Sequence, residues 1–178
     1  MPRANIYLTG FMGSGKSTVG PVLASRLGAA FVDLDASIEQ TTGLPIPVLF
    51  ANEGEAAFRR AERAALQATT ERRGLVVATG GGALLDESAY RLAAAAGAVV
   101  YLRVPTDLLA ARLEPAAAER PLLHDATGVP LTGTALHARI DALLAQRERA
   151  YERADVVVQA DALSASTVAA WIAKALNR

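Results

Sequence analysis

The stretch Gly10-Phe11-Met12-Gly13-Ser14-Gly15-Lys16-Ser17-Thr18 constrains this chain more than any other. It satisfies the pattern G-x-x-x-x-G-K-[ST] at every fixed position. Its flanks agree. Ile6-Tyr7-Leu8-Thr9 is a β-branched and aromatic run that reads as a buried strand. From Thr18 to Leu27, apolar Val19, Val22, Leu23 and Leu27 recur at helical spacing. Strand, glycine-rich loop and helix are the context in which this motif cradles a polyphosphate. Glycines let the backbone approach the anion and adopt positive φ. The amides of Gly13, Ser14, Gly15, Lys16, Ser17 and Thr18 then face it at a helix N-terminus. Lys16 brings a mobile positive charge for the β- and γ-phosphates, and the Ser17 hydroxyl is placed for Mg²⁺.

With 178 residues, 52% of them hydrophobic, the chain can bury a full core as one domain, 1–178. Lysine plus arginine equals aspartate plus glutamate at 18 each, so no nucleic-acid or membrane footprint is expected. The absence of cysteine excludes disulfides, thiolate nucleophiles and cysteine metal sites. Residues 1–5 run directly into the first strand without a signal-like segment, and no apolar run is long enough to span a bilayer. A cytoplasmic protein is expected.

Further along, Phe31-Val32 reads as a short strand ending in Asp33-Leu34-Asp35. By strand alternation Leu34 points one way and the two aspartates the other, so both aspartates can converge on one site. One such carboxylate can hold Mg²⁺, directly or through water, and the second can orient or deprotonate an attacking hydroxyl. Read alone, Asp35 is first a cap for a helix over 36–42; the upstream phosphate loop shifts the balance toward a functional pair. A short helix is expected from Val48 to near Gly54, then a longer one over 55–72 carrying Arg59 and Glu62 three residues apart. The plain reading of that pair is a solvated ion pair of small value. The sharper one is an arginine held by Glu62 for a carboxylate ligand. Leu75–Thr79 is a buried strand that ends in Gly80-Gly81-Gly82, either a flexible turn or a place of close ligand approach.

A helix over 87–96 should end at Gly97 with a glycine cap, followed by a strand over 98–102. The next helix runs through Leu113, with Thr106 or Asp107 as its cap. Residues 114–128, with Arg120-Pro121-Leu122-Leu123-His124, lack periodicity and read as a mobile loop that buries little. A charged helix over 134–153, a last strand at 156–158 and a closing helix over 164–176 with Trp171 packed inward complete the chain. Alternating strands and helices imply a parallel sheet covered on both faces.

Together these marks resemble the shikimate kinase family, small P-loop enzymes of the nucleoside-monophosphate-kinase type. The marks are GFMGSGKST, DLD at 33–35, FRRAE at 58–62, TGGGA at 79–83, RPLL at 120–123, and Arg147 with Tyr151. The resemblance spans nearly the whole chain. It implies a three-layer α/β/α fold on a five-stranded parallel sheet, with a lid over about 114–128 and substrate-binding helices over about 36–72. It implies phosphoryl transfer from ATP, with Mg²⁺, to the 3-hydroxyl of shikimate, by a protein acting as a monomer. In that case Ser17 and, through water, Asp33 serve Mg²⁺. Asp35 bonds the acceptor hydroxyls and could act as base. Arg59 and Arg147 take the acceptor's carboxylate, beside Gly80, Gly81 and Gly82. Phe50 and Phe58 line its ring, and Glu62 holds Arg59. Arg120 closes over the phosphates, so Lys16, Asp35 and Arg120 form the catalytic set, and Arg112 lies near the adenine.

The chain departs from the family pattern in three ways. Arg149 stands where a proline is usual, the spacing from Arg112 to Arg120 is about one residue longer, and Pro21 falls inside the first helix, where it is expected to distort the backbone. Two other functions fit parts of the pattern: a kinase of another small hydroxy acid such as gluconate, and a nucleotide-binding regulatory module without turnover. The latter would be expected to lack one of Lys16, Asp35 or Arg120, and all three are present.

Overall fold

The computed structural model describes residues 4–161 and 163–177. Its centre is a five-stranded, wholly parallel sheet: β1 (Asn5–Thr9), β2 (Ala30–Asp33), β3 (Leu75–Ala78), β4 (Gly97–Arg103) and β5 (Val156–Gln159), in the spatial order β2-β3-β1-β4-β5. Among the described residues, α1 (Lys16–Leu27), α2 (Leu34–Thr42), α3 (Ile46–Thr70), α4 (Glu87–Ala96), α5 (Thr106–Leu113) and α6 (Gly133–Tyr151) connect the strands, and α7 (Ala165–Ala175) follows the last one.

Alternation along the central strands sorts the core into layers. Ile6 and Leu8 join Val19 and Leu23 of α1 and Ile172 of α7 on one face. Tyr7 and Val77 join Leu66 of α3 and Ala93 of α4 on the other. A satellite cluster of Ile38, Leu49 and Phe58 binds α2 to α3. Gly20 lets α1 lie against β2, since a Cβ there would fall 2.3 Å from the Phe31 ring. The phosphate loop follows β1, Asp33 ends β2, and the three glycines come just after β3. All three therefore open at the carboxyl edge of the sheet, where ligands of such sheets bind.

Local details differ from the sequence reading for physical reasons. Asp33 is the last strand residue and itself caps α2, its Oδ1 accepting the Asp35 amide at 3.0 Å and the Ala36 amide. Asp35 therefore sits in the first helical turn, and helix entry rather than strand alternation brings the two carboxylates together. α3 starts two residues earlier than expected; the expected break at Gly54 is present, at non-helical φ 79° and ψ 175°, and the second helical stretch ends at Thr70. Neither Thr106 nor Asp107 caps α5, which follows Pro105 without a side-chain cap. Thr106 bonds Asp141 instead, at 2.6 Å, and Asp107 pairs with His137. Gly97 is extended rather than left-handed and already belongs to β4. A side chain there would strike the Asn5 carbonyl, 2.0 Å from an added Cβ.

Residues 114–128 bury more than their pattern suggests. Glu114–Glu119 and Pro121–Leu123 form 3₁₀ turns, with Ala117 and Leu123 inside the main core. A search for 3.6-residue periodicity misses three-residue turns. Trp171 is 47% exposed, so α7 packs through Val168, Ala169, Ile172 and Ala173 instead. Pro21 is exposed, and α1 continues through it as one helix from Lys16 to Leu27.

Candidate active site

The phosphate loop is held open by its glycines. Gly10 has φ 139°, and an added Cβ would come within 2.7 Å of the Leu102 carbonyl. Gly15, at φ 94°, is the N-cap of α1, and its carbonyl accepts the first helical bonds, from Thr18 and Val19. The Lys16 and Ser17 amides thus precede the helical ladder, at the positive end of the helix dipole. Lys16 is buried, and its ammonium group donates to the carbonyls of Gly10 (2.8 Å) and Phe11 (3.0 Å) and to Ser14 Oγ (3.3 Å). Burial lowers its pKa to about 8, against the opposing pull of the Asp35 and Asp33 carboxylates.

A cavity of about 500 Å³ lies over this loop. Asp33, Asp35 and Thr79 form one wall, and Arg120 reaches its lining from the 3₁₀ segments. Ser17 Oγ donates to Asp33 Oδ2 at 2.6 Å, so hydroxyl and carboxylate face one point. Among the described residues no cluster of three or more His, Asp or Glu side chains suits a metal ion. A Mg²⁺ ion held chiefly by phosphate oxygens and water needs no such cluster. At the far end Arg112 donates to the carbonyls of Gly13 (3.1 Å) and Asp161 (3.0 Å), opposite Ala160, Leu163 and Val168. These three apolar residues had no signal in the sequence, because neither the β5–α7 connection nor the start of α7 carries a motif. Asp35 stays open to the cavity; partial desolvation within its walls, then the Asp33 charge, raise its pKa.

The three glycines after β3 lie between this cavity, which Gly80 and Gly81 line, and a second one of about 480 Å³ lined by Gly82, Arg59 and Glu62. A Cβ on Gly80 would lie 3.0 Å from Asp35 Oδ1 and 3.1 Å from Glu62 Oε1. One on Gly81 would lie 3.3 Å from the Met12 amide nitrogen, and one on Gly82 3.2 Å from Arg59 Nη1. The absence of side chains therefore lets the phosphate loop, α2 and α3 meet at a single turn. Glu62, 5% exposed, accepts from Arg59 Nη1 at 2.7 Å, and Glu55 accepts from Nε and Nη2 of the same guanidinium at 3.3 Å. Burial raises the Glu62 pKa, and the Arg59 hydrogen bond offsets part of that rise. Phe58 packs against Phe50 with ring centroids 4.6 Å apart, and Arg59 lies 5.3 Å from the Phe58 centroid. On α6, the Arg147 guanidinium lies over the Phe11 ring at 5.5 Å, beside the phosphate loop. Arg149, two residues on, is exposed. The sequence singled out Tyr151 only as a mark of resemblance. Its hydroxyl donates to the Gly81 carbonyl at 2.6 Å, a contact that no spacing rule would reveal.

A phosphate loop facing a carboxylate, with one arginine at a glycine turn and another over the loop's Phe11, defines a P-loop kinase for small-molecule acceptors. A family model described as "Shikimate kinase" matches residues 12–177. A shikimate kinase of Salinibacter ruber is 50% identical over 156 residues, covering 88% of this chain and 76% of that protein. One of Chlorobium chlorochromatii is 49% identical over 157 residues, covering 88% and 82%. The structure of shikimate kinase from Acinetobacter baumannii in complex with shikimate superposes with a TM-score of 0.88, at 36% identity, over 98% of this chain and 93% of that one. The chain belongs to the shikimate kinase family.

Proposed function

We propose that this protein phosphorylates shikimate at its 3-hydroxyl, consuming ATP and releasing 3-phosphoshikimate and ADP. The observation that carries the reading is the convergence of Asp35, the Arg59–Glu62 pair and the Gly80–Gly82 turn against the phosphate loop. The ATP polyphosphate lies along the loop amides, with its base between Arg112 and the apolar end at Ala160 and Leu163. The carboxylate of the acid lies within reach of Arg59 and Arg147, whose planar guanidinium groups suit bidentate bonding. Its ring packs on Phe50 and Phe58, and its hydroxyl meets Asp35.

In the reaction, the acceptor oxygen attacks the γ-phosphorus, and the bond to the β–γ bridging oxygen breaks. Asp35 orients the hydroxyl and receives its proton. Lys16 leaves the carbonyls of Gly10 and Phe11 for the phosphates, and with Arg120 it stabilises the charge of the transferring group. Ser17 and Asp33 would hold Mg²⁺, which when bound neutralises phosphate charge. A coupled ADP-release assay, run with shikimate, with gluconate and with neither acid, tests this. Release that depends on shikimate is expected. Release equal in all three arms, or driven by gluconate alone, would overturn the proposal.

A further inference from the structure

Tyr151 is the last residue of α6, one turn beyond Arg147, and is 2% exposed. A buried phenol requires a partner for its hydroxyl, and many carbonyls could serve. Here the partner is Gly81, the middle of the glycine turn, at 2.6 Å. The ring cannot turn away, because it stacks on Tyr101 with centroids 5.0 Å apart. Arg147 stands four residues before Tyr151 on the same helix, with its guanidinium over the Phe11 ring at 5.5 Å and its charge felt at the Tyr151 hydroxyl. Two residues on, Arg153 reinforces the connection: its Nη2 donates to the Leu84 carbonyl at 2.8 Å, and its Nη1 pairs with Glu87. The end of α6 is thereby bonded to both ends of the segment that leads from the glycines into α4.

We infer that Tyr151 is a positioning residue, whose hydroxyl registers Arg147 and the Gly81 turn as one unit for the carboxylate of the acceptor. The inference rests on the reading of Arg147 as a carboxylate ligand. The phenol donates to the Gly81 carbonyl and keeps a lone pair able to accept from a guanidinium one turn away, so a single oxygen can link Arg147 to the turn. Burial pushes its pKa up to about 12, with the Arg147 charge opposing, so it remains a neutral donor throughout the working range. Removing the oxygen while keeping the ring preserves the stack on Tyr101 and releases the turn from the arginine.

The experiment compares Tyr151→Phe, Arg147→Lys and the double variant by steady-state kinetics, with thermal melts to establish folding. In Tyr151→Phe the KM for shikimate should rise about five- to tenfold, as expected for one lost buried hydrogen bond. The KM for ATP should stay within twofold. The double variant should be less impaired toward shikimate than the product of the two single effects, because both act through one unit. If Arg147→Lys raises the shikimate KM but Tyr151→Phe does not, or the two effects multiply, the positioning role is wrong while the carboxylate reading stands. If Arg147→Lys leaves the shikimate KM unchanged, the carboxylate reading itself fails. Equal losses toward ATP and shikimate in Tyr151→Phe would assign the tyrosine to packing alone and overturn the inference.

Discussion

The proposed donor and acceptor halves of the site are built in opposite ways. The phosphate half comes from one continuous run, residues 10–18, whose conformation is fixed by its own glycines and by the start of α1. The proposed acceptor half draws on residues far apart in the chain: Asp35 on α2, Arg59 and Glu62 on α3, Gly80–Gly82 after β3, and Arg147 on α6. A loop that is local in sequence makes its contacts whenever the strand and helix beside it form. A dispersed site exists only when four elements pack correctly, so its geometry depends on the core around it. Substitutions in the first half should therefore strike the chemical step, and substitutions in the second should fall mainly on one substrate.

Lys16→Ala is the most severe test. The ammonium has three hydrogen-bonding partners in the loop and must transfer to the phosphates as charge moves. Turnover should fall roughly a thousandfold or more, about 4 kcal/mol of transition-state stabilisation, as for other preorganised charges aimed at developing charge. Far-ultraviolet circular dichroism should be unchanged. A rate constant near that of the parent would remove the phosphate loop from the mechanism.

The acceptor half should respond differently. In Arg59→Lys the fork that engages Glu62 and Glu55 is replaced by a point charge. The KM for shikimate should rise about ten- to a hundredfold, in line with a lost charge-assisted bond of about 1.5–3 kcal/mol. The KM for ATP should hardly move. Equal increases for both substrates would mean that the halves are not separable.

The same contrast explains what could be read from sequence. The glycine-rich loop was legible at once, since its spacing is local and its conformation follows from residue type. The parallel sheet was also legible, because each strand is a short apolar run bounded by turn residues. Arg59 with Glu62 was visible only as one helical pair among many; what distinguishes it is the turn 20 residues downstream, where a Cβ on Gly82 would meet the guanidinium. The cap on α2 was misplaced by two residues, because both Asp33 and Asp35 suit the role and the choice depends on where β2 ends. Burial of Leu123 and exposure of Trp171 depend on neighbours that no local pattern reports.

Gly80→Ala probes the convergence with one methyl group. Gly80 has no left-handed φ to lose, so the new Cβ acts by contact alone, 3.0 Å from Asp35 Oδ1 and 3.1 Å from Glu62 Oε1. Both carboxylates must give by tenths of an ångström, and a small misplacement at a reacting centre is costly. A roughly tenfold fall in kcat/KM for shikimate is expected from this shift, with ATP affinity measured by equilibrium binding intact. Unchanged kcat/KM would show that Asp35 tolerates displacement and does not orient the hydroxyl.

The smallest effect is a pH profile, and it assigns one limb to each half. Asp35 must be ionised to accept the proton of the hydroxyl. Its pKa is raised, by desolvation first and then by Asp33, so the acid limb of kcat/KM for shikimate should lie above the ordinary aspartate value of about 3.9. Activity is lost as pH falls through that limb. Lys16 must be protonated to bind phosphate, and its pKa is lowered to about 8, so kcat/KM for ATP should decline as pH rises through about 8. That decline should be weaker in kcat, because bound phosphates favour the ammonium form and move its titration upward. Replacing Asp35 with Asn, which retains shape but cannot ionise, should abolish the acid limb in the residual activity and leave the basic limb in place. A basic limb that vanishes with the acid one would mean that the two halves titrate as one coupled system, and the division between donor and acceptor would hold for the covalent structure alone.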